Sequence, residues 1–96
     1  MADYQIKCIT KPDRQSPHER ITRAGGVGPT GESWNDSVEN IIRFIESKVH
    51  HFYTLEGQNK VWVYVRTSVN GNKFIQTYSD GEWKNNLLSL YECVYA

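Results

Sequence analysis

Three histidines, two cysteines and eleven lysines and arginines are the side chains of this 96-residue chain that can do chemistry, and their spacing limits what that chemistry can be. His18 lies between Pro17 and Glu19, with Asp13 and Arg14 close in sequence. Carboxylate neighbours of this kind set the pKa of an imidazole for acid–base work. No nucleophile accompanies it, and the competing reading is a ring that hydrogen-bonds backbone groups and pins its loop against a sheet. Cys8, Cys93, His50 and His51 are zinc-ligand types. Structural zinc sites take their ligands in pairs two to four residues apart, and the chain has no Cys-x-x-Cys. Neither a metal nor a cofactor is therefore expected. The cysteines read as buried thiols that act as small hydrophobes in a reducing compartment; pairing them would need Cα atoms within about 7 Å and an oxidising one. Gly25-Gly26-Val27-Gly28 has the glycine content of a phosphate loop but not its lysine, and the next helical pattern starts too late to receive a phosphate. It reads as a turn needing positive φ.

Binding chemistry is better represented. Lys11, Arg14, Arg20 and Arg23 surround a stretch stiffened by Pro12 and Pro17, and His18 sits among them. Basic side chains on a shaped loop can grip phosphates or acidic groups of a partner. Trp62, Tyr64 and Arg66 alternate with Val61, Val63 and Val65, so a strand here turns its valines one way and its aromatics the other. An open aromatic face suits a protein partner or stacked bases, unless the closing segment with Trp83, Leu87 and Leu88 covers it.

The elements that must hold these residues follow from periodicity. Tyr4, Ile6, Cys8 and Thr10 share one face of a strand, with Cys8 inward. Pro12 ends it, and Ser16-Pro17-His18-Glu19 has the spacing of a capping box opening a single helical or 3₁₀ turn. Residues 20–24 alternate again and run into the glycines. Val38, Ile41, Ile42, Ile45 and Val49 recur at helical spacing, with Asp36 placed to cap the helix. Three β-rich segments follow, 51–56, 60–69 and 72–78. Gly57 marks the first turn between them, and Asn70-Gly71 predicts a type I′ turn at the second. Asp80-Gly81 closes the third, after which Leu87, Leu88, Leu90 and Val94 return to the core. The expected fold is α+β: a mostly antiparallel sheet of about five strands packed on one helix, in the order β-β-α-β-β-β.

Length allows one domain over residues 1–96, and 12% aromatic residues argue against disorder. Net charge is zero, although residues 1–24 hold five basic against three acidic side chains. No apolar run reaches the roughly 18 residues of a membrane span, and no signal-peptide pattern opens the chain, so the expectation is a cytoplasmic protein without a membrane partner.

Cys8-Ile9, the run from Ser16 to Ile21, Gly25-Gly26, Trp34, Phe52-Tyr53, the turn from Thr77 to Gly81 and the ending from Asn86 to Cys93 together resemble a family of small bacterial domains, domain of unknown function 3892. The resemblance covers nearly the whole chain. Members read Thr-x-Ala-Asp-Gly and end Leu-Leu-Ser-Leu-Pro-Glu-Cys; this chain has Ser79 in place of the alanine and Tyr91 in place of the proline. The second change relaxes the backbone before Glu92. The resemblance implies a self-contained domain and assigns no activity, substrate or catalytic residue.

The resulting expectation is a non-catalytic binding or accessory domain. It would contact a protein partner through the 11–23 loop, helped by Trp62 and Tyr64, and inhibition of a larger enzyme, bacterial or phage, is one form of that role. Neutral charge ranks protein above nucleic acid, since sequence-independent nucleic-acid affinity comes from many neutralised phosphates. The alternatives are a nucleic-acid module using the basic loop and sheet aromatics, and a small hydrolase or transferase using His18 with Glu19 or Asp13. Oligomeric state does not follow from the sequence.

Overall fold

The computed structural model describes residues 2–11 and 18–93. Its strands are β1 (Ala2–Thr10), β2 (Arg23–Val27), β3 (Ser33–Ser37), β4 (His50–Glu56), β5 (Asn59–Thr67), β6 (Lys73–Ser79), β7 (Glu82–Lys84) and β8 (Tyr91–Glu92). One helix, α1 (Val38–Glu46), joins β3 to β4, and short 3₁₀ turns lie at His18–Arg20 and Asn86–Ser89. The α+β class with one helix holds, but there are eight described strands where about five were expected. They form one sheet in the order β3-β2-β1-β4-β5-β6-β7, with β8 beside β1. Most pairs are antiparallel; β1 runs parallel to both β4 and β8.

The extra strands arise where turn residues conceal pairing. Gly25 and Gly26 are not a turn: they lie inside β2, paired to β1 on one side and β3 on the other. Neither has a positive φ. Gly26 is glycine because a Cβ there would overlap the Gln5 carbonyl oxygen. That close approach lies next to a bulge in β1, where the register jumps from Ile6↔Gly26 to Cys8↔Gly25 and leaves Lys7 over. The bulge also inverts the face of the strand. Ile9, not Cys8, follows Ile6 into the core.

Expectation and structure differ again at the helix ends. Ser37, not Asp36, caps α1, its hydroxyl accepting from Asn40 N at 3.2 Å. Asp36 stays in β3, opposite Ala24. Val49 lies beyond the helix and is 48% exposed, because Lys48 has left the helix with a positive φ of 61°. Ile41 and Ile42 pack as predicted against Ile6, Ile9, Phe52, Val63, Ile75 and Leu87.

Two hairpins exchange roles. Ser68–Asn72 joins β5 to β6, with Gly71 N donating to Ser68 O, and only Gly71 of the Asn70-Gly71 pair has positive φ. The two-residue turn with both φ positive is at Asp80 (56°) and Gly81 (79°), and it folds β7 back onto β6. At the closing segment Leu87 is fully buried and Leu88 and Leu90 pack on the core, as expected, while Val94 lies outside the described residues. Tyr91, where the family pattern has proline, is part of a paired strand opposite Cys8 and is not a loose end. This pairing sets Cys93 beside β1, Cys93 N donating to Ile9 O, and the thiols expected to be free are joined as a disulfide across a Cα separation of 4.8 Å.

Candidate functional site on the outer face of the sheet

Directly paired residues of neighbouring strands project to the same side, so the register alone assembles a surface. Tyr53↔Trp62, Trp62↔Tyr78 and Tyr78↔Trp83 are consecutive pairs across β4, β5, β6 and β7. Four aromatic residues thus form one row across four strands, and Tyr64 stands two residues along β5 from Trp62. The alternate positions, Thr54, Val61, Val63, Ile75 and Thr77, are all buried on the other side. The aromatics are not: Tyr64 is 46%, Trp83 40% and Tyr78 39% exposed.

The rings contact each other edge to face. Centroids are 5.6 Å apart for Tyr53–Trp62, 5.0 Å for Tyr78–Trp83 and 6.1 Å for Tyr64–Tyr78. Two cations flank the row. Lys60 Nζ lies 4.6 Å from the Tyr53 ring centroid. The Arg66 guanidinium lies 4.4 Å from that of Trp83, and its Nη1 donates to Gln76 Oε1 at 2.8 Å. Gln76 in turn donates to the Lys84 carbonyl at 3.0 Å, so the guanidinium is fixed from β6 and β7. Beyond Tyr53↔Trp62 the β4–β5 ladder stops, since β4 continues against β1 while β5 continues against β6. A groove of about 450 Å³ opens there, lined by Ile45, Lys48, His51, Trp62, Val63 and Tyr64.

The closing segment does not cover this face. Leu87 and Leu88 go into the core, and Trp83 extends the surface. Trp62 and Tyr64 therefore lie where the alternation placed them; Tyr53, Tyr78 and Trp83 were missed. The Asp80-Gly81 dipeptide was the available signal, because a tight turn after β6 must bring residue 83 back opposite residue 78.

The basic loop is not brought together in the same way. Arg14 and Asp13 lie outside the described residues, as does the side chain of Glu19. Arg20 is exposed, whereas Arg23 lies on β2 and donates Nε to Asn35 Oδ1 at 2.8 Å. Lys11 is half-buried and engaged with the surrounding protein. His18 is only 8% exposed, in the 3₁₀ turn packed against β6, and its Nε2 is buried with no hydrogen-bond partner among the described residues. Burial pushes its pKa below the ordinary 6.5, and the charges of Arg66 and Lys11 lower it further. An imidazole so placed is neutral and withdrawn from a substrate arriving from solvent. Among the described residues no cluster of three metal-ligating side chains occurs, and no helix is long and apolar enough to cross a membrane.

A family model for "Protein of unknown function (DUF3892)" matches residues 5–91, which takes in every strand that builds the outer face. The chain belongs to the DUF3892 family. No curated protein and no solved structure matches it significantly. Membership in DUF3892 thus assigns no activity, and function is argued from the surface itself.

Proposed function

We propose that this domain is a non-catalytic binding module that captures a protein partner on the outer face of its sheet. The Tyr53–Trp62–Tyr78–Trp83 row, half-buried at its first two rings and exposed at the last two, carries the reading: Trp, Tyr and Arg are the residues that dominate binding energy at protein interfaces, and here they stand together, already fixed by one another. The groove beside Trp62 and Tyr64 would receive an anchoring side chain, and Lys60 beside Tyr53 and Arg66 beside Trp83 would meet acidic groups at the two ends of the row. The 11–23 loop is not needed for this reading: His18 is buried and Arg23 is tied to Asn35, while Arg20 is exposed. Inhibition of a larger enzyme is one use of such a module.

Rings flanked by cations also stack bases, which keeps single-stranded nucleic acid as the second reading. A photoreactive benzophenone amino acid placed at position 64 in cells separates the two, with position 69 at the fully exposed β5–β6 loop as control. The expected result is a discrete, nuclease-resistant protein adduct from position 64 that disappears with Trp62→Ala and is missing from position 69. Identical adducts from both positions, or none from position 64, would refute the proposal, and a nuclease-sensitive adduct would favour the second reading.

A further inference from the structure

A second concavity lies on the other side of the sheet, where α1 crosses the ends of β1, β3 and β4. Its volume is about 210 Å³ and it is lined by Tyr4, Trp34, Phe44, His50 and Phe52 together with Asn35 and Asp36. Five rings meet here. The Tyr4 centroid is 4.9 Å from His50, 5.6 Å from Phe52 and 5.8 Å from Trp34, and Phe44 is 4.9 Å from His50. Trp34 is held in place by its indole N–H, which donates to the Gln5 carbonyl at 3.1 Å. The gap through which it reaches is made by Gly26, its direct partner on β2.

Three polar residues interrupt this aromatic lining, of which Asn35 is already engaged, its Oδ1 accepting from Arg23 Nε. The Asp36 carboxylate is oriented through Oδ1, which accepts from Ser37 N at 2.7 Å and from Asn40 Nδ2 at 2.8 Å, while Oδ2 has no partner among the described residues. His50 Nδ1 is buried and also has none. A buried polar atom without a partner costs about 1–3 kcal/mol, so an occupant that brings a donor to His50 Nδ1 is favoured over one that leaves it unpaired. An anion would face a carboxylate and the negative faces of rings. A neutral apolar group would take water from the carboxylate and offer it no countercharge. A cation surrounded by methyl groups and bearing one N–H fits this lining: rings attract its charge, Asp36 neutralises it, and its N–H can donate to His50 Nδ1.

We infer that this pocket binds a small alkylammonium group, of the size of a dimethylated amine head. The volume is below the roughly 300–1,000 Å³ of sites for drug-sized ligands, which restricts the occupant to such a head and leaves its chain in solvent. This site shares no residue with the outer face, and its test is independent of the binding proposal above.

Proton–nitrogen NMR of the full chain, following the Trp34 indole N–H, tests the inference with three probes of similar size: butyldimethylammonium, butyltrimethylammonium and 1-butanol. Saturable shifts are expected with the first, at least several-fold weaker binding with the second, which has no N–H, and none with the alcohol. Asp36→Asn keeps the oxygen that holds Ser37 and Asn40 but removes the charge, and should weaken the first probe at least tenfold in a spectrum that is otherwise that of the folded chain. The comparison of probes on the unaltered chain stands even if that variant does not fold. A short peptide carrying dimethyllysine binding more tightly than the free amine would identify a protein tail as the source of the group, and equal binding a free amine. Shifts of equal size with 1-butanol, equal affinity for the quaternary probe, or no response to any cation would overturn the inference.

Discussion

At the scale of single residues, His18 shows how burial redirects a side chain that the sequence offers for catalysis. The neighbours the sequence offers, Asp13, Arg14 and the side chain of Glu19, lie outside the described residues; the largest influence is desolvation, followed by Arg66, which lies far away in sequence. Because the folded pKa lies below the unfolded one, the unfolded chain takes up a proton more readily, and stability rises with pH through that interval. It is fully present above about pH 6.5 and declines as pH falls below it. His18→Gln should flatten this decline, to be measured as urea midpoints at pH 7.5 and pH 5.5. If the unaltered protein and the variant lose the same stability between those two pH values, the slope originates elsewhere.

The hairpins are the elements on which the outer face depends. Asp80 and Gly81 both need positive φ, and an alanine at 81 would have to adopt it at a cost of about 1 kcal/mol or more. Gly81→Ala should therefore lower the denaturation midpoint modestly while loosening β7, seen as loss of the Tyr78–Trp83 ring-current shifts in NMR. Unchanged shifts would mean that the β6–β7 ladder does not rely on this turn. The same elements show what was legible beforehand. Alternation on β5 separated the valines from Trp62 and Tyr64 correctly, because a strand buried on one face carries that period in its composition. Helical spacing found α1 for a similar reason. Alternation over 20–24 announced a second strand, but period alone could not reveal β3 or the continuation of β2 through Gly25 and Gly26, whose pairing is decided by neighbouring strands, nor the bulge at Lys7, which is a single unpaired residue. The aromatic pocket was illegible on the same ground: Tyr4, Trp34, Phe44, His50 and Phe52 come from four elements, and it takes the β1–β4, β1–β2 and β2–β3 pairings and the packing of α1 to bring them together.

For the molecule as a whole, β1 occupies the middle of the sheet and is paired on one edge to β2 and on the other to β4 and then β8. The Cys8–Cys93 bond reinforces that last, shortest contact, and with a sequence separation of 85 it closes almost the entire chain into one loop. On chain entropy a loop of that length is worth about 4–5 kcal/mol, which is a large part of the total stability of a small domain. The double replacement Cys8→Ser, Cys93→Ser should lower the unfolding free energy by up to about 4 kcal/mol in buffer without reductant. Reductant should bring the unaltered protein down to the level of the variant and leave the variant unchanged. A protein whose urea midpoint ignores reductant would show that β8 is held by its backbone pairing and the burial of Leu87 alone. The two candidate sites should respond differently to the loss of the bond. The outer face is built by β4–β7, which the disulfide does not touch, and should keep its ring contacts while the chain stays folded; the pocket takes Tyr4 from β1 itself and should loosen first.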